Sequence, residues 1–502
     1  MTFFDKFFSF KYTIVFILMG LLAAWIPLTS VFNIGPELAD FWISSKYLNW
    51  GFLENPPLFP AFLHLIGFLG LDGVLLLKSI TIVFSAVLIF LTYLAANLLF
   101  DRRTAIVFTL LIVTTPYFSL GVVFWNPDKF SYLFWMLIFI SLAKIIRTEN
   151  QNWSFLLGVS MGLGLLTRYS MIQVVAILAL WVLLTASVRK KFLNWKFLVS
   201  IVIMLMMIAP NIVWNYQNSW ASFFYLYEQY ISGIRLNPLF AWSLLILSIG
   251  FSFILIAYFL SQLFGGNLKR EEIGDETDHS KEIWSLLKVT IAVSFIIGLL
   301  TNLLGNGIRI EPFAITFFCI FLFLARFVSQ EINHGLISRQ VTIFSASFLT
   351  TILFAGFMMY LQQSLYHPVE FPESYSLNRF IGWDETASNI EEVCDQNGLI
   401  TIDYVISSEF ELSSALGLYI KDQPKPYSLV DSERNIWSPM QTVKSSRTIL
   451  ICRFEECRDV TLAASAHFES SFELLGDAIV QRAGKVVREL KVFKLVPNNL
   501  DS

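Results

Sequence analysis

The chain has 502 residues, of which 56% are hydrophobic and 16% aromatic, with 15% charged and a formal net charge of -3. A composition this apolar excludes an ordinary soluble domain, because so much nonpolar surface has nowhere to hide from water. The small net charge excludes a protein that binds nucleic acid through a strongly basic surface.

About eleven apolar stretches follow one another, over residues 13–33, 74–98, 104–121, 130–146, 153–167, 169–187, 197–214, 239–263, 284–304, 311–328 and 341–361, and roughly 20 apolar residues suffice to cross the hydrocarbon core as a helix. They are continuously apolar, not alternating, which selects helices over a β-barrel. The first stretch has the length of a retained helix and is followed by no small-residue cleavage site, which favours an anchor over a signal peptide. With the N-terminus inside, every other connection carries a basic cluster: Lys6 and Lys11, Arg102 and Arg103, Lys144 and Arg147, Arg189 to Lys196, Lys269 and Arg270, Arg326 and Arg339. Short loops rich in Lys and Arg stay cytoplasmic, so this orientation satisfies all of them and puts the C-terminus outside.

The first outer loop, 34–73, is too long for a simple connection. Ala39, Phe41, Trp42, Tyr47, Leu48 and Trp50 alternate there with Glu37, Asp40 and Lys46, the pattern of amphipathic helices lying in the membrane interface. Glu37 and Asp40 are three apart and share one helix face, where they either present two carboxylates to a cavity or serve as a solvated pair near a helix N-terminus. In Asn126-Pro127-Asp128-Lys129, the proline suits a helix start and Asp128 sits in the first turn, as a cap or as an acid on the same membrane face as Glu37. Arg168 lies between two apolar stretches with almost no loop to carry it, so it snorkels or meets an anion. The next outer segment, Trp214 to Arg235, is crowded with aromatic rings: an interfacial belt, some members of which have the chemistry to stack on a sugar or line a lipid groove. Arg309 and Glu311 fall in the last short outer loop and suit each other as a pair. The inner segment Gly265 to Glu282 reads as a polar connector.

Beyond residue 362 the composition turns mixed, with short β-like runs at Leu399 to Ile406 and Thr448 to Arg453. This predicts a soluble α/β domain over 362–502 on the outer side, following a transmembrane region over 1–361. Cys394, Cys452 and Cys457 lie in it and Cys319 in an apolar stretch; Cys452 with Cys457 is the nearest pair, although spacing alone does not set connectivity and three thiols fit the pattern as well. No metal-ligand spacing appears among the five histidines.

The text Glu37-Leu38-Ala39-Asp40-Phe41-Trp42, then Trp50-Gly51-Phe52-Leu53-Glu54-Asn55-Pro56-Pro57-Leu58, resembles the first outer loop of the polyprenyl-phosphate-dependent membrane glycosyltransferases with the C-type fold, of the protein mannosyltransferase and lipid A aminoarabinose transferase type. That family reads roughly Asp-Glu-Ala-Tyr-Tyr-Trp and Trp-Gly-Tyr-Tyr-Asp-His-Pro-Pro-Leu, and the spacing between the two blocks fits without a gap. Asn126-Pro127-Asp128, Leu166-Thr167-Arg168-Tyr169, Trp214-Asn215 and Trp220-Ala221-Ser222-Phe223 match further family blocks in the same order. The likeness covers residues 10–235 well and the rest more loosely, with Glu411 to Leu429 similar to a strand-and-turn piece of the family's soluble domain.

The resemblance implies a polytopic α-helical membrane enzyme that moves a sugar, with inversion, from a polyprenyl-phosphate carrier to a lipid, glycan or protein acceptor of the cell envelope. It makes Glu37 the counterpart of the first-loop catalytic aspartate, with Asp40 as its alternate, and Asp128 that of the second acid. Arg168 takes the place of a lysine that binds the carrier phosphate, Lys129 and Lys46 are further candidates for that phosphate, and Trp214 and Trp220 for lipid or sugar contact. The family's second loop acid is here Leu38, and its Asp-His before Pro-Pro is Glu54-Asn55. The resemblance implies no cofactor beyond a polyprenyl-phosphate sugar as donor substrate, and a divalent metal stays open because carboxylates alone specify no ion. A lipid-linked sugar flippase would instead carry charges near the bilayer midplane, and a non-catalytic scaffold would tolerate neutralising Glu37, Asp128 and Arg168.

Overall fold

The computed structural model describes residues 32–70, 73–119, 128–230, 278–304, 311–333, 382–429, 447–454, 456–482 and 485–496, with a few single positions besides. The bulk of the expected span 13–33, the whole of 239–263 and 341–361, and the basic residues Lys6, Lys11, Lys269, Arg270, Arg309 and Arg339 lie outside them.

The segment expected to be the first outer loop contains two helices, α1 (Pro36–Ser45) and α2 (Leu58–Gly67). Both follow from the sequence: Pro36 is preorganised for a first turn and Glu37 stands where the helix dipole favours an acid. A long helix α3 (Gly73–Leu99) follows, then α4 (Arg102–Val113), capped by the Asp101 carboxylate on the Thr104 N–H at 3.0 Å. Within the described residues the span expected over 104–121 is interrupted at Thr114 and Thr115 and resumes as helix over Pro116–Ser119. α5 (Asp128–Thr148), α6 (Trp153–Leu165), α7 (Ile172–Leu184), α8 (Ala186–Phe192), α9 (Trp195–Gln217) and α10 (Ala221–Tyr230) complete the first half. The stretch expected to run straight over 169–187 bends by 109° between α7 and α8. α11 (Asp278–Leu303) and α12 (Ala314–Asn333) close the described helices of the bundle; the first of these begins inside the segment 265–282 that the sequence suggested was a connector.

Among the described residues four helices are long and apolar enough to cross a membrane, or five if the bent pair counts as one span. Hydroxyls along them bond their own helix, as Thr81 and Ser85 do to the carbonyls four residues back at 2.8 and 2.7 Å, which satisfies them without water. Among the described helices, α6 packs closely on α9. A Cβ built on Gly158 would lie 2.4 Å from the Ser200 carbonyl oxygen, and one on Gly162 2.9 Å from Met207. Two glycines four apart let the backbones meet, the usual way helices associate where apolar burial gives no advantage over lipid.

The helices alternate between two ends. At one end the basic connections meet: Arg147 donates to the Leu99 and Phe100 carbonyls at 2.8 Å each, Lys191 pairs with Glu282 at 3.0 Å, Asn194 reaches Gln151 at 3.0 Å, and Arg326 pairs with Asp101. At the other end lie α1, α2, the turn after α6 and the junction of α9 with α10.

The described residues between 404 and 496 include a five-stranded sheet in the order β2-β1-β3-β5-β4, from β1 (Tyr404–Ser407), β2 (Lys425–Ser428), β3 (Thr448–Arg453), β4 (Ser471–Arg482) and β5 (Lys485–Val496). β1 pairs in parallel with β2 and β3, and the β4–β5 hairpin joins β3 antiparallel. Successive side chains of β3 point to opposite faces, and both faces are covered. Ile449 and Ile451 pack with α13 (Trp383–Gln396) and α14 (Phe410–Tyr419); Leu450 and Cys452 pack with α15 (Cys457–Phe468). β3 has the bounds expected of it, whereas the first expected strand is confined to Tyr404–Ser407. The piece read as strand and turn over 411–429 is a correction: it is α14 followed by β2. Glu411 in the first turn and Leu412, Ala415 and Leu416, all buried, give it a helical period that favours helix once two sides are covered. Cys452 and Cys457 form a disulfide between the end of β3 and the start of α15.

Candidate active site

Three segments far apart in sequence converge at the end opposite the basic connections. The loop 50–57 between α1 and α2 turns on itself, with the Phe52 N–H donating to the Asn55 carbonyl at 3.1 Å. It is stitched to the turn after α6 at two points. The Leu58 N–H donates to the Leu166 carbonyl at 2.9 Å, and Arg168 Nη1 donates to Asn55 Oδ1 at 2.7 Å. Asn55 is buried and Arg168 half-buried. Arg168 has extended backbone at the head of a 3-10 turn, Tyr169–Met171, so its side chain leaves the helix axis where α6 ends.

The third segment is the junction of α9 and α10. Asn211 Nδ2 donates to the Trp50 carbonyl at 2.8 Å, Ser222 Oγ to the Phe52 carbonyl at 2.9 Å, and the Tyr225 hydroxyl to the Glu54 carboxylate. Tyr169 ties the junction to the Arg168 turn, donating to Asn211 Oδ1 at 3.3 Å and accepting from Asn215 Nδ2 at 3.4 Å. Trp214 is buried with its ring against Gly51, where an added Cβ would come within 2.3 Å of it. Only glycine fits that approach. Ser219 and Trp220 both have left-handed backbone, φ 55° and 58°, and so redirect the chain from α9 into α10. Non-glycine residues hold that conformation only where the surroundings impose it. Trp220 stays 40% exposed, edge-on to Phe223 at 5.4 Å.

The expected acids occupy neighbouring elements. Glu37 is exposed on α1 and Asp40 half-buried one turn on. Phe41 touches Phe59 of α2 with ring centroids 5.1 Å apart, and Phe59 touches Phe130 of α5 at the same distance. Fully buried Phe59 thus fixes α1 and the first turn of α5 to the helix that grows out of the Asn55 loop. Asp128 is the first residue of α5, its side chain outside the described atoms, and Lys129 beside it is buried.

Lys46 points elsewhere. Its ammonium donates to Gln423 Oε1 at 2.8 Å and lies 5.9 Å from the Trp42 ring, and burial lowers its pKa. It belongs to the seam between α1 and the sheet region. There the Ile34 N–H donates to the Tyr419 hydroxyl at 2.5 Å, the Trp383 N–H to Asn33 Oδ1 at 3.0 Å, and the Lys425 ammonium lies 5.8 Å from the Tyr47 ring. Burial raises the Tyr47 pKa against the opposing pull of Lys425. Among the described residues no group of three or more His, Cys, Asp and Glu side chains is placed to hold a metal.

Asn211 and Tyr225 were not singled out from the sequence as site residues. A signal for the first is present in retrospect: an asparagine inside an apolar stretch is costly unless it has a specific partner. Tyr225 was read as one more ring in the aromatic belt, and nothing local distinguishes it.

Residues 54–214 match the family model described as dolichyl-phosphate-mannose-protein mannosyltransferase. A 178-residue stretch is 28% identical to the lipopolysaccharide core galacturonosyltransferase RgtA of Rhizobium johnstonii, covering 34% of each chain, so the match spans about a third of that curated relative. The crystal structure of ArnT from Cupriavidus metallidurans bound to undecaprenyl phosphate superposes with a TM-score of 0.64 at 12% identity, covering 96% of this chain and 98% of that one. The oligosaccharyltransferase AglB from Archaeoglobus fulgidus, in complex with an inhibitory peptide and a dolichol-phosphate, gives a TM-score of 0.51 at 12% identity, covering 100% and 75%. At these identities the two structures bear on fold alone.

Proposed function

We propose that this chain, which has the fold of the C-type membrane glycosyltransferases, is an inverting transferase that moves a hexosyl or pentosyl unit from a polyprenyl-phosphate carrier to a lipid, glycan or protein acceptor of the cell envelope. The observation that carries the reading is the convergence of 50–58, 166–171 and 211–225 on Arg168, at the end of the bundle away from the basic connections. The blocks Leu166–Tyr169, Trp214–Asn215 and Trp220–Phe223 that prompted the family resemblance all have a place in that cluster. The family model covers most of the same stretch, and the structural neighbour that holds undecaprenyl phosphate supports a lipid-linked donor.

In this reading one carboxylate of the Glu37–Asp40 pair, or Asp128, takes the proton of an acceptor hydroxyl as its oxygen attacks the anomeric carbon. The bond from that carbon to the phosphate oxygen breaks, and the electron pair leaves with the carrier phosphate. General-base help is worth about 10²–10⁴-fold. The phosphate gains electron density as it departs, and a fixed guanidinium at Arg168, with buried Lys129 near the start of α5, opposes that charge. Trp214 shapes the floor of the site through Gly51, and Trp220 offers a ring to lipid or sugar.

The membrane-embedded region, 1–361, then holds the chemistry, and 362–502 is an extracytoplasmic α/β domain seated on α1. The protein lies in the plasma, or inner, membrane with its N-terminus cytoplasmic. Supporting this orientation, the short basic connections gather at one end of the bundle and the candidate site at the other.

The test is mass spectrometry of envelope lipids and glycans from cells with and without the chain. A sugar-bearing species should disappear with deletion and return with the wild type, but not with Glu37→Gln/Asp128→Asn or Asp40→Asn/Asp128→Asn. Full restoration by both double variants overturns the assignment.

A further inference from the structure

We infer that Tyr419 is a positioning residue for the acids of α1: through its hydroxyl, the sheet region sets where Glu37 and Asp40 stand. The inference rests on the reading that a carboxylate of α1 is the base. The first N–H groups of a helix have no partner within it, and the chain just before α1 is held by a residue 385 positions away. The Tyr419 hydroxyl, at the end of α14, accepts from the Ile34 N–H at 2.5 Å and donates to the Ile34 carbonyl at 3.5 Å, so it grips both polar groups of the residue three before Glu37. Asn33 meets the start of α13 in the same way: its N–H donates to the Phe380 carbonyl at 2.8 Å and its Oδ1 accepts from the Trp383 N–H at 3.0 Å. A Cβ on Gly35 would lie 2.6 Å from the Phe380 ring, so the chain enters α1 against that ring. The other end of α1 is tied to the same region, by Lys46 on Gln423 at 2.8 Å and by Ile43, whose Cδ1 lies 3.3 Å from where a Cβ on Gly417 would be. Packing of Phe41 on Phe59 brings α1 to α2, but apolar contact has no preferred direction. Hydrogen bonds at both ends fix a ten-residue helix along its axis as well. Glu37 lies in the first turn of α1 and Asp40 one turn on, so both move with the end that Tyr419 holds. A displacement of about 1 Å at a reacting group can cost up to 10²-fold.

The experiment adds full-length wild type, Tyr419→Phe, Asn33→Ala and Glu37→Gln/Asp40→Asn back to membranes of deletion cells. The rate of forming the sugar-bearing species that deletion removes is divided by the amount of folded chain, and binding of undecaprenyl phosphate, without sugar, is measured on the same proteins in nanodiscs. Tyr419→Phe keeps the ring and removes only the hydroxyl. Its transfer should fall about tenfold while binding stays within about twofold of wild type, because the acids of α1 act on the acceptor and not on the carrier phosphate. Asn33→Ala, which removes the neighbouring hydrogen bond to Trp383, should show the same split and decides the matter if Tyr419→Phe is not recovered folded. A merely structural role lowers transfer and binding together. Equal losses in the two measurements overturn the inference, as does wild-type transfer by folded Tyr419→Phe, or by Asn33→Ala in its place, when Glu37→Gln/Asp40→Asn is slowed. Wild-type transfer by Glu37→Gln/Asp40→Asn overturns instead the reading that α1 carries the base.

Discussion

The two ends of the helical bundle are built from different chemistry. At the basic end, charge is matched with charge: Lys191 with Glu282 and Glu149, Arg326 with Asp101. At the opposite end Asn211, Asn215, Ser222 and Tyr169 take part in tertiary hydrogen bonds, and Arg168 donates to the Asn55 amide oxygen. Ion pairs at the first end answer a structural need, since a lone charge near the apolar interior costs several kcal/mol and its counterion removes most of that cost. At the second end, neutral amide, hydroxyl and backbone groups join the 50–58 loop to the turn after α6 and to α9 and α10, so much of its geometry is set by hydrogen bonds with strict directions. Mutations at the two ends should therefore fail in different ways.

The largest effect belongs to Arg168→Ala. It should reduce sugar transfer by about 10²–10³-fold, the scale for loss of one fixed group that stabilises departing charge, while the thermal midpoint in detergent stays near that of the wild type. An unfolded or aggregated variant would move Arg168 to the structural column and erase the contrast. At the other end, Lys191→Met strands the Glu282 side chain, 4% exposed, against a lysine side chain only 16% exposed. The expected loss is about 2–3 kcal/mol of stability, below the figure for a fully buried pair because Lys191 touches solvent. Transfer per folded molecule should not change. Lys191→Met/Glu282→Leu should recover much of the loss, and its failure to do so would show the pair to matter for something besides mutual neutralisation.

How much of this was legible in the chain follows from the range of each interaction. The helices of the described bundle follow hydropathy, a property of each segment by itself, and the shared end of the basic connections follows from counting Lys and Arg. The strand-and-turn expectation for 411–429 rests on the family resemblance, whereas the leucines and alanine of α14 suit a helix, and packing against α1 through Gly417 and Ile43 and against the sheet fixes it as one. The site itself was legible only as a set of motifs. Asn55 meets Arg168 across 113 positions, Glu54 meets Tyr225 across 171, and Lys46 finds Gln423 across 377. No periodicity reports such pairs, so a lysine beside two acids read as a phosphate ligand although its amine is bonded within the seam to the sheet region.

Gly51→Ala separates shape from charge at the end that holds Arg168. The new methyl group would meet the Trp214 ring at 2.3 Å, and a buried indole on a rigid helix has little room to yield, so the loop must shift. A displacement of about 1 Å at a reacting centre can cost up to 10²-fold. Roughly tenfold slower transfer is expected here, since Gly51 lies four residues from Asn55, with about 1–3 kcal/mol lost in stability, the usual cost of overpacking a buried contact. Wild-type kinetics would show that the Trp50 to Asn55 loop does not position the reacting groups, and the outer end would then owe its specificity to the helices alone.

The smallest effect lies in the sheet region and tests whether it stays packed while seated on α1. The Cys394 thiol is buried between α13 and the sheet, and burial first, then the Asp395 and Glu391 carboxylates, push its pKa up to about 12. Unfolded, it titrates near 9, so between pH 9 and 12 the folded state binds more protons than the unfolded one and stability falls as pH rises. Cys394→Ala should remove that part of the alkaline slope at the cost of one small buried sulfur. At pH 8 the folded thiol should resist alkylation and react only on denaturation, because the thiolate is the nucleophile and burial suppresses it. Fast labelling of native protein at pH 8 would mean that the sheet opens locally, and the seam of Tyr419, Gln423 and Lys425 with α1 would then be a moving contact, not a fixed one.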